Sequence, residues 1–184
     1  MERALVELAQ AGDEEAFAAI ARACGDRLLA IAFRILRDLG LAEDAVQQTL
    51  VIAWRELRGL RDADRFDAWL HRLLVNECYA EARRARKWSS AVRVLPAEGP
   101  GGPDDIVTVA HRDQLERAFG RLPPEQRAVF VFHHYLGLTL SEVAGQLGIP
   151  LGTVKSRLHY ATVGLRAALE ADARTEPART ERPA

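Results

Sequence analysis

Apolar residues recur along the chain at steps of three and four, the period of one helix face. From Ala16 onward they fall at Phe17, Ile20, Cys24, Leu28, Ile31 and Ile35. Asp13 stands before that run as an N-cap, and Gly40 after it reads as a stop. A second stripe, Val46, Leu50, Ala53, Trp54 and Leu57, predicts a helix over 43–57. The charged stretch RGLRDADR reads as a loop. A third helix is expected from about Asp67, carrying Trp69, Leu70, Leu73, Leu74 and Tyr79. Strict apolar–polar alternation never persists, so strands are not expected.

The pattern breaks at 89–103, SSAVRVLPAEGPGGP, where Pro, Gly and Ser mark a linker. Helical spacing then resumes. Pro103, Asp104 and Asp105 suit a helix start, and Leu115, Ala118, Phe119 and Leu122 mark its buried face up to the break at Pro123-Pro124. AVFVF at 128–132 is strand-like by composition, but Val129, Phe132, His133 and Leu136 continue a helical stripe through it.

The sharpest local signal follows. Thr139-Leu-Ser-Glu142 has the form of a capping box. Val143, Ala144 and Leu147 give a short helix, Gly148 is placed to end it in a left-handed conformation, and Pro150 opens the next. That next helix runs over 151–169 and buries Val154, Leu158 and Leu165. Two short helices joined by a tight Gly-containing turn read as a helix-turn-helix, whose second helix would be the one inserted in a major groove. The pattern alone also fits an ordinary helical hairpin with a solvated face. Its exposed face would offer Thr153, Lys155, Ser156, Arg157, His159 and Tyr160. The helix holds basic residues and no acids, as an approach to phosphates requires.

These patterns predict an all-α chain of two small helical domains, 1–88 and 104–169, joined by a flexible linker over 89–103 and followed by a disordered tail over 170–184. A linker of that length has a flexible span of roughly 20–30 Å, enough to let the domains separate.

Composition narrows the function. Of 184 residues, 48% are apolar, which supports a core, and 25 basic against 26 acidic residues leave a formal net charge of −1. A protein that binds DNA alone and tightly is often clearly basic, so contact with DNA would come from local clusters or be completed by a larger partner. The longest apolar run, Leu28 to Phe33, is six residues, far below the roughly 20 of a membrane-spanning helix. No secretory signal is expected at the start of the chain, and two distant cysteines with no CxxC fit a reducing, cytoplasmic setting. No metal site and no cofactor are expected: His133 and His134 lack a third ligand. No P-loop, GxSxG or HExxH motif occurs, so an enzyme is the poorest reading.

The segment LSEVAGQLGIPLGTVKSRLHYA resembles domain 4 of bacterial sigma-70-type factors, and its GIPLGTVKSRL core is similar to that of the extracytoplasmic-function (ECF) group. GDEEAF, AEDAVQQTLVIAW and FDAWLHRLLVNECYAEARRAR resemble domain 2 of the same group, in the expected order, with no domain 3 between. The resemblance covers roughly residues 5–168. It implies a dissociable, non-catalytic subunit that binds core RNA polymerase and directs initiation at promoters by recognising −10 and −35 elements. Asp44, Gln47 and Gln48 would dock on the β′ clamp helices, with the β flap as a further polymerase contact. At the Gln48 position the family usually has an acid.

By the same resemblance, the loop from Leu60 to Phe66 and the helix after it would open and read the −10 element, through Leu60, Trp69, Arg72, Asn76, Arg83 and Arg84. A base drawn from the stack needs an aromatic or apolar pocket and polar groups for its edge. Asn76 occupies the family position that contacts a flipped base. The −35 element would be read by Thr153, Lys155, Ser156, Arg157, His159 and Tyr160. The family commonly has Arg where this chain has Tyr160 and Thr162. An anti-sigma factor is a further implied partner, and membrane insertion is not expected. Two rival readings are an autonomous dimeric helix-turn-helix regulator and a sigma mimic that titrates an anti-sigma factor.

Overall fold

The computed structural model describes residues 1–91 and 114–175, and the side chains of 1–88 and 114–171. Among them every regular element is helical: α1 (Arg3–Gln10), α2 (Glu14–Leu36), α3 (Leu39–Glu56), α4 (Phe66–Ala91), α5 (114–120), α6 (Pro124–Phe130), α7 (Leu140–Leu147) and α8 (Leu151–Thr175). Two 3-10 turns, Leu57–Gly59 and Ala63–Arg65, fill the loop before α4.

The first three long helices form a bundle around Ile20, Leu28, Ile31 and Ile35 of α2, Ala42, Ala45 and Ala53 of α3, and Phe66, Leu70 and Leu74 of α4. Each large aliphatic side chain buried here contributes about 1.5–3 kcal/mol relative to exposure. The alanines of α3 let α2 and α4 approach closely. Asp13 caps α2 as expected, its side chain accepting from Ala16 N at 3.0 Å. Gly40 does not end α2. The chain turns three residues earlier, where Arg37 takes a left-handed φ of 62° and Asp38 caps α3 by accepting from Leu41 N at 2.9 Å. Gly40 therefore lies in the first turn of α3. Helix α1 carries only two buried residues, Val6 and Ala9, too few for a stripe to stand out in the sequence.

The second region begins with α5 and α6. Residues 121–123 separate them, Pro123 stands at the N-cap of α6 and Pro124 opens it, and α6 runs into a π-turn at Val131–Tyr135 rather than a strand. The capping box forms in full: Thr139 Oγ1 accepts from Glu142 N, and Glu142 Oε2 accepts from Thr139 N at 2.8 Å. Gly148 closes α7 at φ 66°. Pro150 sits one position before α8, its carbonyl accepting from Thr153 N and Val154 N. Helix α8 extends to Thr175, six residues beyond the expected domain end, because Ala171, Ala173 and Arg174 favour helix. The expected linker, apart from helical residues 89–91, the helix start at Pro103 and the tail past 175 lie outside the described residues.

The two regions are in contact. Ala128, Val129, Val131, Phe132, Val143 and Val154 share one buried cluster with the helices of the first region. Helix α6 packs on α2 and α4, and α7 packs on α4. Polar contacts run alongside: Arg37 pairs with Glu116 at 2.9 Å, and the Arg34 guanidinium lies 3.9 Å over the Tyr135 ring. The sequence reading expected domains free to separate; here the apolar faces of α6 and α7 have found cover on the first region.

Candidate nucleic-acid interface

The loop before α4 is held from below. Gln10, at the end of α1, donates from its side-chain amide to Leu57 O at 3.1 Å and to Leu60 O at 2.6 Å. Asp62 caps the second 3-10 turn by accepting from Asp64 N at 3.0 Å. So fixed, the loop faces the first turns of α4 and, with Gly145 and Gln146 of α7 on the far side, encloses a cavity of ≈ 250 Å³ lined by Leu60, Arg61, Asp62, Arg65, Ala68, Trp69 and Arg72.

Trp69 is half-buried, 5.9 Å from the Phe66 ring, with part of its indole in the cavity. Arg61, Arg65 and Arg72 are exposed around it. An aromatic face ringed by cations, with the Asp62 carboxylate as acceptor, has the chemistry for an unstacked base and its phosphates. Asn76 lies one and two turns along α4 from Arg72 and Trp69 and is exposed. The structure thus brings Leu60, Trp69 and Arg72 to one cavity, with Asn76 and Arg83 further along the exposed helix.

Arg84 does not join them. It pairs with Glu81 and reaches Glu77 at 3.8 Å, and it lines a groove with Asp38, Leu41, Asp44 and Trp88 between α3 and α4. Asp44, Gln47 and Gln48, spaced three and four apart, are all exposed on α3. Arg84 therefore sits beside the α3 face rather than with the cavity.

On α8, Val154 and Ala161 are buried, Leu158 is half-buried, and Lys155, Ser156, His159 and Tyr160 are exposed. Ser156 Oγ donates to Thr153 O at 3.0 Å, so that hydroxyl already has an acceptor. The His159 and Tyr160 rings lie 5.6 Å apart. Thr153 and Arg157 are only half-exposed. Arg157 is close enough to Tyr79 of α4 to oppose the upward push that burial gives the Tyr79 hydroxyl. Lys155 and Arg157 thus do occupy different surroundings, one in solvent and one at the seam between the regions.

The sequence gives no sign of Gln10, and within the loop from Leu60 to Phe66 it singles out Leu60 but not Arg61, Asp62 or Arg65. The last three were visible as charges in RGLRDADR, but only the fold closes that stretch against Trp69. Gln10 carried no signal, since its partners lie 47 and 50 residues away. His133 Nδ1 lies 2.7 Å from Leu138 O and His134 stacks on Phe130, packing roles in both cases. No group of three or more metal-ligating side chains occurs among the described residues, and no helix among them is long and apolar enough to cross a membrane.

Comparison with known proteins agrees with this layout. Residues 20–88 match the family model "Sigma-70 region 2", and residues 112–161 match "Sigma-70, region 4". The chain is 36% identical over 167 residues to the ECF RNA polymerase sigma factor SigL of Mycobacterium tuberculosis, covering 86% of this chain and 94% of that protein. It is 27% identical over 167 residues to the ECF RNA polymerase sigma factor SigW of Bacillus subtilis, covering 84% and 89%. Among solved structures, it is similar to CnrH in complex with the cytosolic domain of CnrY (TM-score 0.64, 29% identity, 92% of this chain and 97% of that one). It is also similar to the sigma factor RpoE in complex with the anti-sigma factor NepR from Bartonella quintana (TM-score 0.64, 27% identity, 85% and 98%).

Proposed function

This chain belongs to the ECF group of the sigma-70 family and is an RNA polymerase sigma factor acting in promoter-specific transcription initiation, and we propose how its surfaces divide that work. The Trp69 cavity takes a base flipped from the −10 element, Arg61, Arg65 and Arg72 hold the adjoining phosphates, and Asn76 reads a base edge. The observation that supports this reading is the half-buried aromatic ring of Trp69 set among three exposed arginines of the first region. A regulator that reads only duplex DNA has no use for such a pocket. Arg83, exposed further along α4, follows the duplex beyond it.

The exposed α3 face, Asp44, Gln47 and Gln48, docks on the β′ clamp helices of core polymerase, and Arg84 belongs to that side through its groove with Asp44. The second region contacts the β flap. On α8, Lys155, His159 and Tyr160 face the −35 major groove with Thr153 and Ser156 at its N-terminal end. Arg157 joins them once it leaves Tyr79. Residues 1–88 and 104–169 act as the two functional units. The chain does no covalent chemistry itself, works in the cytoplasm, and is held inactive by an anti-sigma factor, as its solved relative RpoE is found with NepR.

Permanganate footprinting of a promoter bound by core polymerase plus this protein tests the assignment. Reactive thymines within the −10 element, lost with Trp69→Ala, are expected. Unchanged strand opening by that variant contradicts the pocket's role.

A further inference from the structure

We propose that α7 is an intramolecular cover over the −10 pocket, and that neutral His71 latches it shut so that acidification opens it. The proposal rests on the pocket assignment above and adds its regulation.

The cover is geometric. Gly145 and Gln146 of α7 complete the wall of the cavity that Leu60, Trp69 and Arg72 begin. A Cβ built at Gly148 would lie 3.6 Å from the Arg72 side chain, so the turn of the helix-turn-helix rests on an arginine of the pocket. Arg157 is half-exposed, and its charge acts on the buried Tyr79 hydroxyl of α4. In this arrangement the chain cannot reach both promoter elements. Elements about 25 base pairs apart, as their names state, are separated by about 85 Å of duplex at about 3.4 Å per base pair. A compact chain of 184 residues has a radius of gyration of about 16 Å, or about 40 Å across. The regions must part before both elements are read.

The latch is His71. It is 6% exposed, on the face of α4 that α7 covers. Its Nδ1 lies 3.2 Å from Gln146 Oε1, and its ring meets Phe132 of the π-turn edge-on at 5.6 Å. Its Nε2 is buried with no hydrogen-bond partner among the described residues. A second proton would fall on that nitrogen and leave a charged N–H in an apolar seam without an acceptor. Burial accordingly holds His71 below the ordinary histidine range. The charges acting on it are Arg27 from α2 and Asp67 of α4 itself, which pair with each other at 2.9 Å. The α7 partner is the uncharged Gln146, and the π-turn presents Phe132. Arg127 of α6, also buried, interacts with Arg37 and Glu125 instead.

The sign follows from linkage. Closure requires neutral His71, and parting the regions restores its ordinary affinity for a proton. The contribution to closure is complete above the open-state value of about 6.5 and is lost as pH falls toward the depressed closed-state value. Over that window the closed-to-open ratio falls by up to about tenfold per pH unit.

The experiment is an interdomain distance in the full free chain, by energy transfer between dyes at Glu15→Cys and Val163→Cys, both exposed positions. The native Cys24 and Cys78 are buried, with the Cys78 thiol pushed up to about 12, so they resist labelling. A short, constant distance above pH 7 and a lengthening as pH falls below about 6.5 are expected. His71→Gln should abolish the step. Gln146→Glu supplies a carboxylate for the charged ring and should keep the regions together to lower pH. A distance that does not change with pH, or an unaltered step in His71→Gln, overturns the proposal. If His71→Gln fails to fold, a step in Gln146→Glu identical to wild type overturns it equally. No polymerase or promoter enters the measurement, so its outcome is independent of the pocket's assignment.

Discussion

The side-chain amide of Gln10 donates to the carbonyl of Leu60 at 2.6 Å, tying the end of α1 to the loop that walls the Trp69 cavity. The same nitrogen also reaches Leu57 O at 3.1 Å. Gln10→Ala removes the donor to the half-buried Leu60 carbonyl, while Leu57 O keeps its bond from Leu60 N at 3.1 Å. A loss of about 1–3 kcal/mol in stability is expected, read by denaturant unfolding. Reduced opening at the −10 element should accompany it even at temperatures where the variant stays folded. Unchanged stability and unchanged opening would remove α1 from the site.

Asn76 is exposed and makes no packing contribution to the core. Asn76→Ala should keep the wild-type melting temperature while losing one base-edge contact, at about 1–3 kcal/mol of discrimination. Initiation from a library randomised across the −10 element reads this directly. The expected result is a relaxed preference at one position, and an unaltered preference contradicts the role.

The roles proposed for Lys155 and Arg157 divide positioning from reading on α8. Lys155 stands in solvent as a compact charge, suited to a phosphate. Lys155→Ala should weaken −35 binding about equally across sequences and lower the salt slope by about one. Arg157→Ala should shift the preferred −35 base, since a planar fork reads guanine bidentately. Selections on randomised −35 sequences with assembled holoenzyme decide between them, and a shift for Lys155→Ala with none for Arg157→Ala reverses the assignment.

On α3, Gln48 is exposed beside Asp44 and Gln47. Gln48→Glu adds the acid usual in the family. Tighter core binding by about 0.2–1 kcal/mol is expected for an exposed charge pair, measured by competition with a second sigma factor. Weaker binding would mean that α3 does not face a basic surface.

The features legible in the sequence are those fixed within a few residues. Asp13, Thr139 with Glu142, and Gly148 act on backbone groups of their own turns, so their spacing already states their function. The long stripes of α2 and α4 follow from the helical period alone. The end of α2 was misplaced at Gly40 because glycine is the usual left-handed residue, whereas here Arg37 adopts that conformation and Asp38 captures the next helix. The seam between the regions was invisible for a different reason. His71 and Gln146 are 75 residues apart, and each reads locally as an ordinary helix residue. Arg84 was grouped with Arg83 because both lie in one basic run, yet neighbours on a helix point about 100° apart, and Arg84 pairs with Glu77 and Glu81 of its own helix while lining the groove beside α3.

Transcription in vitro, with core RNA polymerase, this protein and fragments of its source genome, tests promoter-directed initiation most directly. Discrete transcript starts that require the protein are expected, each preceded by a common pair of sequence blocks, with no tight specific binding of those fragments by the free protein. Absence of any protein-dependent start, together with nanomolar specific binding by the free protein, contradicts the assignment and points to a regulator that reads DNA by itself.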